Sequence, residues 1–286
     1  MKIMILGLGY VGFTAACCLA HEGHSVVGID VSEKKVRGIL DGHSPIIEPG
    51  VDAMLTDGLA QGRISVAASI GSHLEDCDVA IVCVGTPSGV DGAHDMGFIA
   101  DVSRQIAQAV MKSDRDVPLT VVYRSTIRPG TTEELINPIF KSVLGARAEE
   151  LIDLVYNPEF LREGSAVQDY FTPPKIVIGT RDGTPNAHME AVNANIKATC
   201  FIVGYREAEF TKFVDNSWHA VKVAYANEIG RVCLQLGISA RQVHEIFISD
   251  TKLNISPYYT RPGGAFGGSC LPKDVRALQY IAADVG

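Results

Sequence analysis

The sequence has no pair of cysteines in C-x-x-C spacing. Its seven, Cys17, Cys18, Cys77, Cys83, Cys200, Cys233 and Cys270, are odd in number and mostly set in apolar runs. That argues against a zinc ribbon or a secreted disulfide scaffold, so no metal is expected. A reducing compartment, the cytoplasm, is expected instead. No apolar stretch reaches the length of a membrane span, and no membrane partner is expected. The opening run carries one early lysine and is interrupted by glycine too soon for a signal peptide. There is no excess of positive charge: Lys and Arg total 25 against 33 for Asp and Glu, a formal net charge of -8. Backbone-driven nucleic-acid binding is therefore not expected, although a local donor-rich site can still hold a nucleotide's phosphates. Internal repeats and low-complexity tracts are absent.

What is present suits a globular chain of one large or two smaller domains: 286 residues, 47% apolar and 20% charged. Buried-strand patterns fall at residues 2–6, 24–30, 64–67, 79–84, 119–123, 152–156 and 175–179. Helical patterns separate most of them, at 13–22, 32–40 with Ser32 as N-cap, and 51–61. Strands alternating with helices predict an α/β fold with a parallel sheet covered on both faces. From Arg206 to about Leu236 the chain has no proline and only Gly230 as a breaker, which predicts one long helix between domains. A short helix near 240–248, a turn-rich loop and a last helix from Pro272 follow. The expected division is a Rossmann-type doubly wound domain over 1–205, then a long central helix and helical segment over 206–286.

Gly7, Gly9 and Gly12 form a G-x-G-x-x-G (GLGYVG) between the first strand and first helix, and Asp30 stands 18 residues after Gly12 at the end of the second strand. In that context the glycines allow a tight turn, close approach to a pyrophosphate and close helix–strand packing. Asp30 would accept from both ribose hydroxyls and repel a 2′-phosphate, so NAD is expected over NADP. The competing reading is that the glycines serve packing alone. Thr86 and Thr126 lie in small polar loops after buried strands, where ligands bind in such sheets. They fit a cofactor or substrate contact, or simply a turn or cap.

Two further features carry chemistry. With Lys212 at zero on a helical wheel, Asn216, His219 and Asn227 fall near about 40°, 340° and 60°. This narrow amide-rich stripe faces away from a broad apolar arc, as a recognition surface would, or as an ordinary exposed face would. The stretch Gly263–Asp274 (GGAFGGSCLPKD) places Cys270 just before a helix that begins near Pro272, with Lys273 close by. Both neighbours favour a thiolate nucleophile, the alternative being a flexible loop with an inert thiol. The other six cysteines read as small buried hydrophobes. A hydride acceptor beside a cysteine nucleophile suits aldehyde capture, thioester formation and hydrolysis. Glu159 and Glu163, in NPEFLREG from Asn157, would share a face if that stretch were helical, with Arg162 between them as an anchor.

GLGYVG from Gly7, VCVGTP from Val82, RST from Arg124, NPEFLRE from Asn157, Asn216 with His219, NEI from Asn227 and GGSCLPKD from Gly267 together resemble the UDP-glucose/GDP-mannose dehydrogenase family. KLNISPYYTRP from Lys252 and WHAVK from Trp218 resemble its GDP-mannose branch, with the UDP-glucose branch as the alternative. The resemblance implies NAD-dependent four-electron oxidation of a nucleotide sugar through a cysteine thiohemiacetal and thioester. In the GDP-mannose branch the product is GDP-mannuronate, the alginate precursor.

By the same resemblance, Tyr10, Val11, Asp30, Lys35, Thr86, Thr126 and Lys273 match NAD contacts. Cys270 matches the nucleophile, and Lys212 with Asn216 the oxyanion stabilisers. Asp274 matches a residue tied to water activation, and Glu163 a substrate contact in the thioester step. His219, Asn227, Tyr258, Tyr259 and Arg261 match sugar-nucleotide contacts. The resemblance further implies a homodimer through the central helix, with the loop around Tyr258–Arg261 reaching a neighbouring subunit's site. Family members continue into a C-terminal nucleotide-sugar domain that this chain is expected to lack. An inactive NAD-binding or dimerising module therefore stands beside the enzyme reading. So, independently, does a two-electron dehydrogenase without a covalent step, against which Cys270 beside Lys273 argues.

Overall fold

The structure, a computed structural model, describes residues 1–89, 92–260, 263, 265–268 and 270–285. The chain forms two compact units, Met1–Val214 and Asp215–Gly286. The first begins with β1 (Lys2–Leu6), α1 (Tyr10–His21), β2 (Ser25–Ile29), α2 (Glu33–Leu40), α3 (Val51–Ala60) and β3 (Ile64–Ala67). Next come β4 (Val79–Val82), α4 (Gly97–Lys112), β5 (Leu119–Tyr123), α5 (Asn137–Leu144), α6 (Ala148–Leu151) and β6 (Ile152–Tyr156). Then follow α7 (Ala166–Phe171), β7 (Ile176–Thr180), α8 (Ala187–Val192), β8 (Cys200–Gly204) and α9 (Tyr205–Gln235), within which the boundary between the units falls.

The eight strands form one sheet in the order β3-β2-β1-β4-β5-β6-β7-β8. Every neighbouring pair from β3 to β6 is parallel. This Rossmann-type order runs outward from β1 in both directions and opens a crevice beyond the carboxyl ends of β1 and β4, where such sheets bind ligands. Beyond β6 the pattern changes. β7 pairs antiparallel with β6, Tyr156 opposite Gly179, and β8 pairs parallel with β7. The sequence reading starts the long helix at Arg206 but names no strand before it at β8. Its residues are exposed or half-buried at the sheet edge, and Gly204 leads directly into Tyr205 of α9, so neither a buried run nor a turn marks the strand.

Alternation along the central strands sorts their side chains to two faces. Ile3 and Ile5 of β1 join Val79 and Ile81 of β4 in a core with Phe13 and Leu19 of α1 and Val51 and Leu55 of α3. Met4 and Leu6 join Ala80 and Val82 in the opposite core, with Ile99 and Ile106 of α4 and Phe140 of α5. The buried Tyr123 hydroxyl in that second core is satisfied by Ser103 Oγ at 2.6 Å.

α9 is 31 residues long. Gly237, with φ of +68°, ends it: its N–H donates to Leu234 O and that of Ile238 to Cys233 O, a left-handed termination that satisfies the last carbonyls. The second unit continues with α10 (Ala240–Ser249), capped by Ser239 Oγ accepting from Gln242 N, and α11 (Leu271–Val285). Its helices leave Trp218, Val221, Leu234, Ile246 and Tyr280 exposed. No helix of the described residues is long and apolar enough to cross a membrane.

Leu55 is fully buried where α3 packs on the sheet. Leu55→Ala should lower the unfolding free energy by about 2–5 kcal/mol, measured by urea denaturation. A loss well under about 1 kcal/mol would show that α3 adds little to the core.

Candidate functional site

The turn from β1 to α1 is set by contacts only glycine permits. Gly7 has φ of +95°. A Cβ on Gly12 would lie 1.9 Å from the Gly7 carbonyl oxygen, so α1 packs here as close as a backbone allows. A Cβ on Gly9, by contrast, would meet nothing within 4 Å. Gly9 precedes α1 without a side-chain cap, so the first helical N–H groups, at Tyr10, Val11 and Gly12, border an open cradle.

Asp30 lies at the end of β2, buried, and its carboxylate is held from three directions. Leu8 N donates to Oδ2 at 2.9 Å, Ser32 N to Oδ1 at 3.0 Å, and Lys35 Nζ lies 2.5 Å from Oδ2. Burial alone would push the Asp30 carboxyl up. The Lys35 ammonium and the Ser32 and Leu8 N–H groups outweigh it, and the carboxyl stays below its usual range. Lys35 is itself placed by α2, whose N-terminus Ser32 caps by accepting from Lys35 N. Backbone donors around an open glycine and a fixed carboxylate one strand away fit a dinucleotide: phosphates at the first, ribose hydroxyls at the second.

The ends of β4, β5 and β6 are stitched together beside this turn. Thr86 Oγ1 donates to Thr126 O at 2.9 Å, and Ser125 Oγ to Val84 O at 2.6 Å. Arg124 Nε donates to Asn157 Oδ1 at 3.2 Å, while Asn157 Nδ2 donates to Val177 O at 2.8 Å. The structure therefore brings Thr86 and Thr126 together.

The segment after β6 is an extended loop, so the helical condition set for NPEFLREG is not met. Glu159 and Glu163 accordingly share no helical face. Pro158 disfavours helix at Asn157, and carboxylates take the backbone donors a helix would have used. Leu161 N donates to Glu159 Oε2 at 2.6 Å, and Arg162 N to Asp169 Oδ2 at 2.9 Å. Arg162 also grips Asp169 through its guanidinium, anchoring the loop to α7. Glu163 is exposed in a turn. Glu159 instead meets α9: Lys212 Nζ lies 3.0 Å from Oε1 and donates to the Glu159 carbonyl at 2.7 Å, with both side chains largely buried.

Two carboxylates that the sequence reading does not single out complete this region. Glu48, buried in the loop between α2 and α3, accepts from the Tyr10 hydroxyl and from Gly164 N and Ala166 N. Glu209, buried on α9, accepts from Gly130 N at 2.6 Å and from Thr132 N and Oγ1 at 2.9 and 2.6 Å, fixing the loop after Thr126. Burial is the main cause that raises the Glu209 carboxyl. Each acts across long sequence separations, and no local motif marks either.

The remaining expected residues belong to the second unit. Asn216, His219 and Asn227 are exposed on α9, as are Tyr258 and Tyr259, the latter with φ of 61°. Arg261 lies outside the described residues. Cys270 is exposed directly before α11, its carbonyl accepting from Asp274 N at 2.9 Å, with Pro272 in the helix's first turn. Lys273 is ion-paired with Asp274. Among the other cysteines, burial pushes the thiols of Cys17 and Cys83 up to about 12 and that of Cys77 up to about 11, and raises that of Cys18. Cys200 is exposed on the edge strand β8, so it is not the buried hydrophobe expected of it.

Comparison with known proteins joins these features. The NAD binding domain of the UDP-glucose/GDP-mannose dehydrogenase family matches residues 1–197, and its central domain matches 206–286. The chain is 44% identical over 286 residues to GDP-mannose 6-dehydrogenase of Pseudomonas aeruginosa, covering 100% of this chain and 65% of that protein. It is 33% identical over 289 residues to UDP-glucose 6-dehydrogenase of the same organism, covering 62% of it. A crystal structure of a ternary complex of GDP-mannose dehydrogenase from Pseudomonas aeruginosa superposes with a TM-score of 0.96 at 44% identity, over 100% of this chain and 65% of that one. The chain thus spans just under two thirds of the length of the GDP-mannose relative. With both family domains matched in order and the dinucleotide turn in place, it belongs to the UDP-glucose/GDP-mannose dehydrogenase family.

Proposed function

We propose that this protein oxidises the 6-hydroxyl of GDP-mannose to a carboxylate, giving GDP-mannuronate for alginate precursor synthesis. The observation that carries the choice of sugar nucleotide is the 44% identity to a GDP-mannose enzyme against 33% to a UDP-glucose enzyme, each over the whole chain. One alcohol, two NAD⁺ and one water give one carboxylate, two NADH and three protons. When bound, NAD⁺ supplies the hydride acceptor for both oxidations.

The chain's residues divide the work. Gly7, Gly9 and Gly12, with the backbone of Tyr10 and Val11, take the pyrophosphate, while Asp30 and Lys35 take the ribose hydroxyls. Thr86, Thr126 and Lys273 complete the cofactor contacts. The 6-hydroxyl first gives up its proton to solvent and C6 its first hydride. Cys270 Sγ then adds to the resulting C6 aldehyde: the C–S bond forms and the carbonyl electron pair moves to oxygen. Lys212, helped by Asn216, meets that oxyanion. After hydride leaves C6, the thioester accepts water, the C–S bond breaks and sulfur departs with its electron pair. Asp274 takes a proton from the attacking water, and Glu163 serves the same step at the substrate. His219, Asn227, Tyr258, Tyr259 and Arg261 hold the sugar nucleotide. Residues 1–205 form the NAD-binding part, and 206–286 the catalytic-cysteine and dimerising part.

Three outcomes follow. Calorimetric titration should show NAD⁺ binding at least about tenfold more tightly than NADP⁺, because Asp30 accepts from hydroxyls and repels a phosphate; equal affinity contradicts the assignment of Asp30. Sedimentation at micromolar concentration should show a dimer built on α9, whose Trp218 and Val221 are exposed in the single chain; a clean monomer refutes the pairing.

The third outcome concerns chemistry. With GDP-mannose and NAD⁺, mass spectrometry should find a sugar-nucleotide adduct on Cys270, and two NADH should form per acid released. Cys270→Ala should lower acid formation by at least about a thousandfold while NAD⁺ binding persists. A variant that still makes acid at near-normal rate removes the covalent route. Faster turnover with UDP-glucose than with GDP-mannose moves the protein to the other branch.

A further inference from the structure

Burying a carboxylate is costly unless its oxygens are hydrogen-bonded. Glu48 is buried, and both its oxygens are occupied. Oε2 accepts from the Tyr10 hydroxyl and from Gly164 N at 2.9 Å, and Oε1 accepts from Ala166 N at 2.7 Å. Gly164 N also lies 3.1 Å from the Tyr10 hydroxyl oxygen. Burial opposes the charge of Glu48, but its hydrogen bonds to Tyr10, Gly164 and Ala166 outweigh that, and its carboxyl lies below the usual range. The Tyr10 phenol is raised, first by burial and then by Glu48.

The partners of Glu48 come from two functional segments. Tyr10 is the first residue of α1, directly after the open Gly9 cradle. Gly164 and Ala166 close the loop that begins at Asn157 and carries Glu159, the partner of Lys212. A ligand that fixes the backbone of Tyr10 also fixes its ring, and the ring hydroxyl meets the same carboxylate oxygen as Gly164 N. Among the described residues, Glu48 bonds both to Tyr10 and to this loop, beside the direct contact of Gly164 N with the Tyr10 hydroxyl.

We propose that Glu48 is a positioning residue that couples occupancy of the dinucleotide turn to the conformation of loop 157–166. The proposal rests on the nucleotide-binding reading above. Nucleotide held at Tyr10 steadies the loop through Glu48, and the loop in turn steadies Tyr10, since such coupling is reciprocal.

Tryptic cleavage of the exposed Arg162–Glu163 bond reports the loop, and calorimetry reports NAD⁺ binding. The wild type is compared with Glu48→Gln, which keeps the shape but puts a donor where an acceptor stood, and with Tyr10→Phe, which removes the hydroxyl that meets Glu48 and Gly164 N but leaves the bonds of Glu48 to the loop. Saturating NAD⁺ should slow cleavage of the wild type about tenfold. Glu48→Gln should be cut about tenfold faster without nucleotide, and NAD⁺ should then change the rate less than twofold. Its NAD⁺ affinity should fall by no more than about tenfold, the same coupling factor.

Tyr10→Phe should keep nearly the wild-type rate without nucleotide, because Glu48 still holds Gly164 and Ala166, yet lose the protection by NAD⁺. A purely structural role for Glu48 would not separate the two variants in this way. Equal protection of the wild type and both variants, as simple steric shielding would give, overturns the proposal. So does NAD⁺ that binds the wild type without protecting it. If calorimetry finds no NAD⁺ binding to the wild type, the nucleotide reading itself fails and the coupling falls with it. Should Glu48→Gln not fold, Glu48→Asp takes its place: it draws the carboxylate back by one methylene and should likewise lose the protection by NAD⁺, while unchanged protection overturns the proposal.

Discussion

Among the described glycines the closest constraint is the contact between Gly12 and the Gly7 carbonyl, where even a methyl group would overlap. It forces α1 onto β1 and fixes where the helix begins. Everything at the carboxyl edge of the sheet is placed relative to that start. Tyr10 follows it by position, and Asp30 reaches back to it through Leu8 N. Between Gly7 and Gly12, Gly9 borders open space, where a Cβ would meet nothing within 4 Å. A recognition cradle and a packing requirement are here one feature, which is why the glycine spacing is so informative.

The loops above the sheet are held by carboxylates that accept backbone N–H groups, beside apolar anchors such as Ile127, Phe160 and Leu161. Asp30 does so for Leu8 and Ser32, Glu48 for Gly164 and Ala166, Asp169 for Arg162, and Glu209 for Gly130 and Thr132. Irregular backbone leaves donors unpaired, and a buried donor without a partner costs more than a made bond returns. A carboxylate satisfies two or three donors at once and fixes their relative positions. Lys212 works in the opposite sense, meeting both the side chain and the carbonyl of Glu159. The first turns of α9, with Glu209 and Lys212 three residues apart, thereby lock the loops after β5 and β6 from one helix face.

What was legible in the sequence had local periodicity or fixed spacing. The parallel core strands, the Gly7–Gly12 turn with Asp30, the Ser32 cap and the long helix all announce themselves within short windows. The half-exposed edge strand β8 does not, because alternation and burial are both weak there. NPEFLREG carries helix-compatible residues, but its backbone donors are captured by Glu48 and Asp169, which are remote or fall outside any motif. Glu48 itself sits among prolines and glycines in a segment that reads only as a connection. Its role is created by a fold that brings residue 10 and residue 164 to the same place, and no window of sequence contains that information.

The same principle decides which thiol is chemically distinct. A count of seven cysteines says nothing about reactivity, and spacing points only to Cys270. The fold supplies the contrast. Cys17 and Cys18 lie inside α1 against the sheet, and Cys77 and Cys83 at strand boundaries, where burial holds each thiol in its protonated form at neutral pH. Cys233 is buried near the end of α9. Cys200 is reachable, yet partial burial and then Glu190 still raise its thiol. Cys270 alone combines exposure with a place directly before a long helix. Exposure and position thus set this sulfur apart from the other six, and Lys273, three residues on, is ion-paired with Asp274.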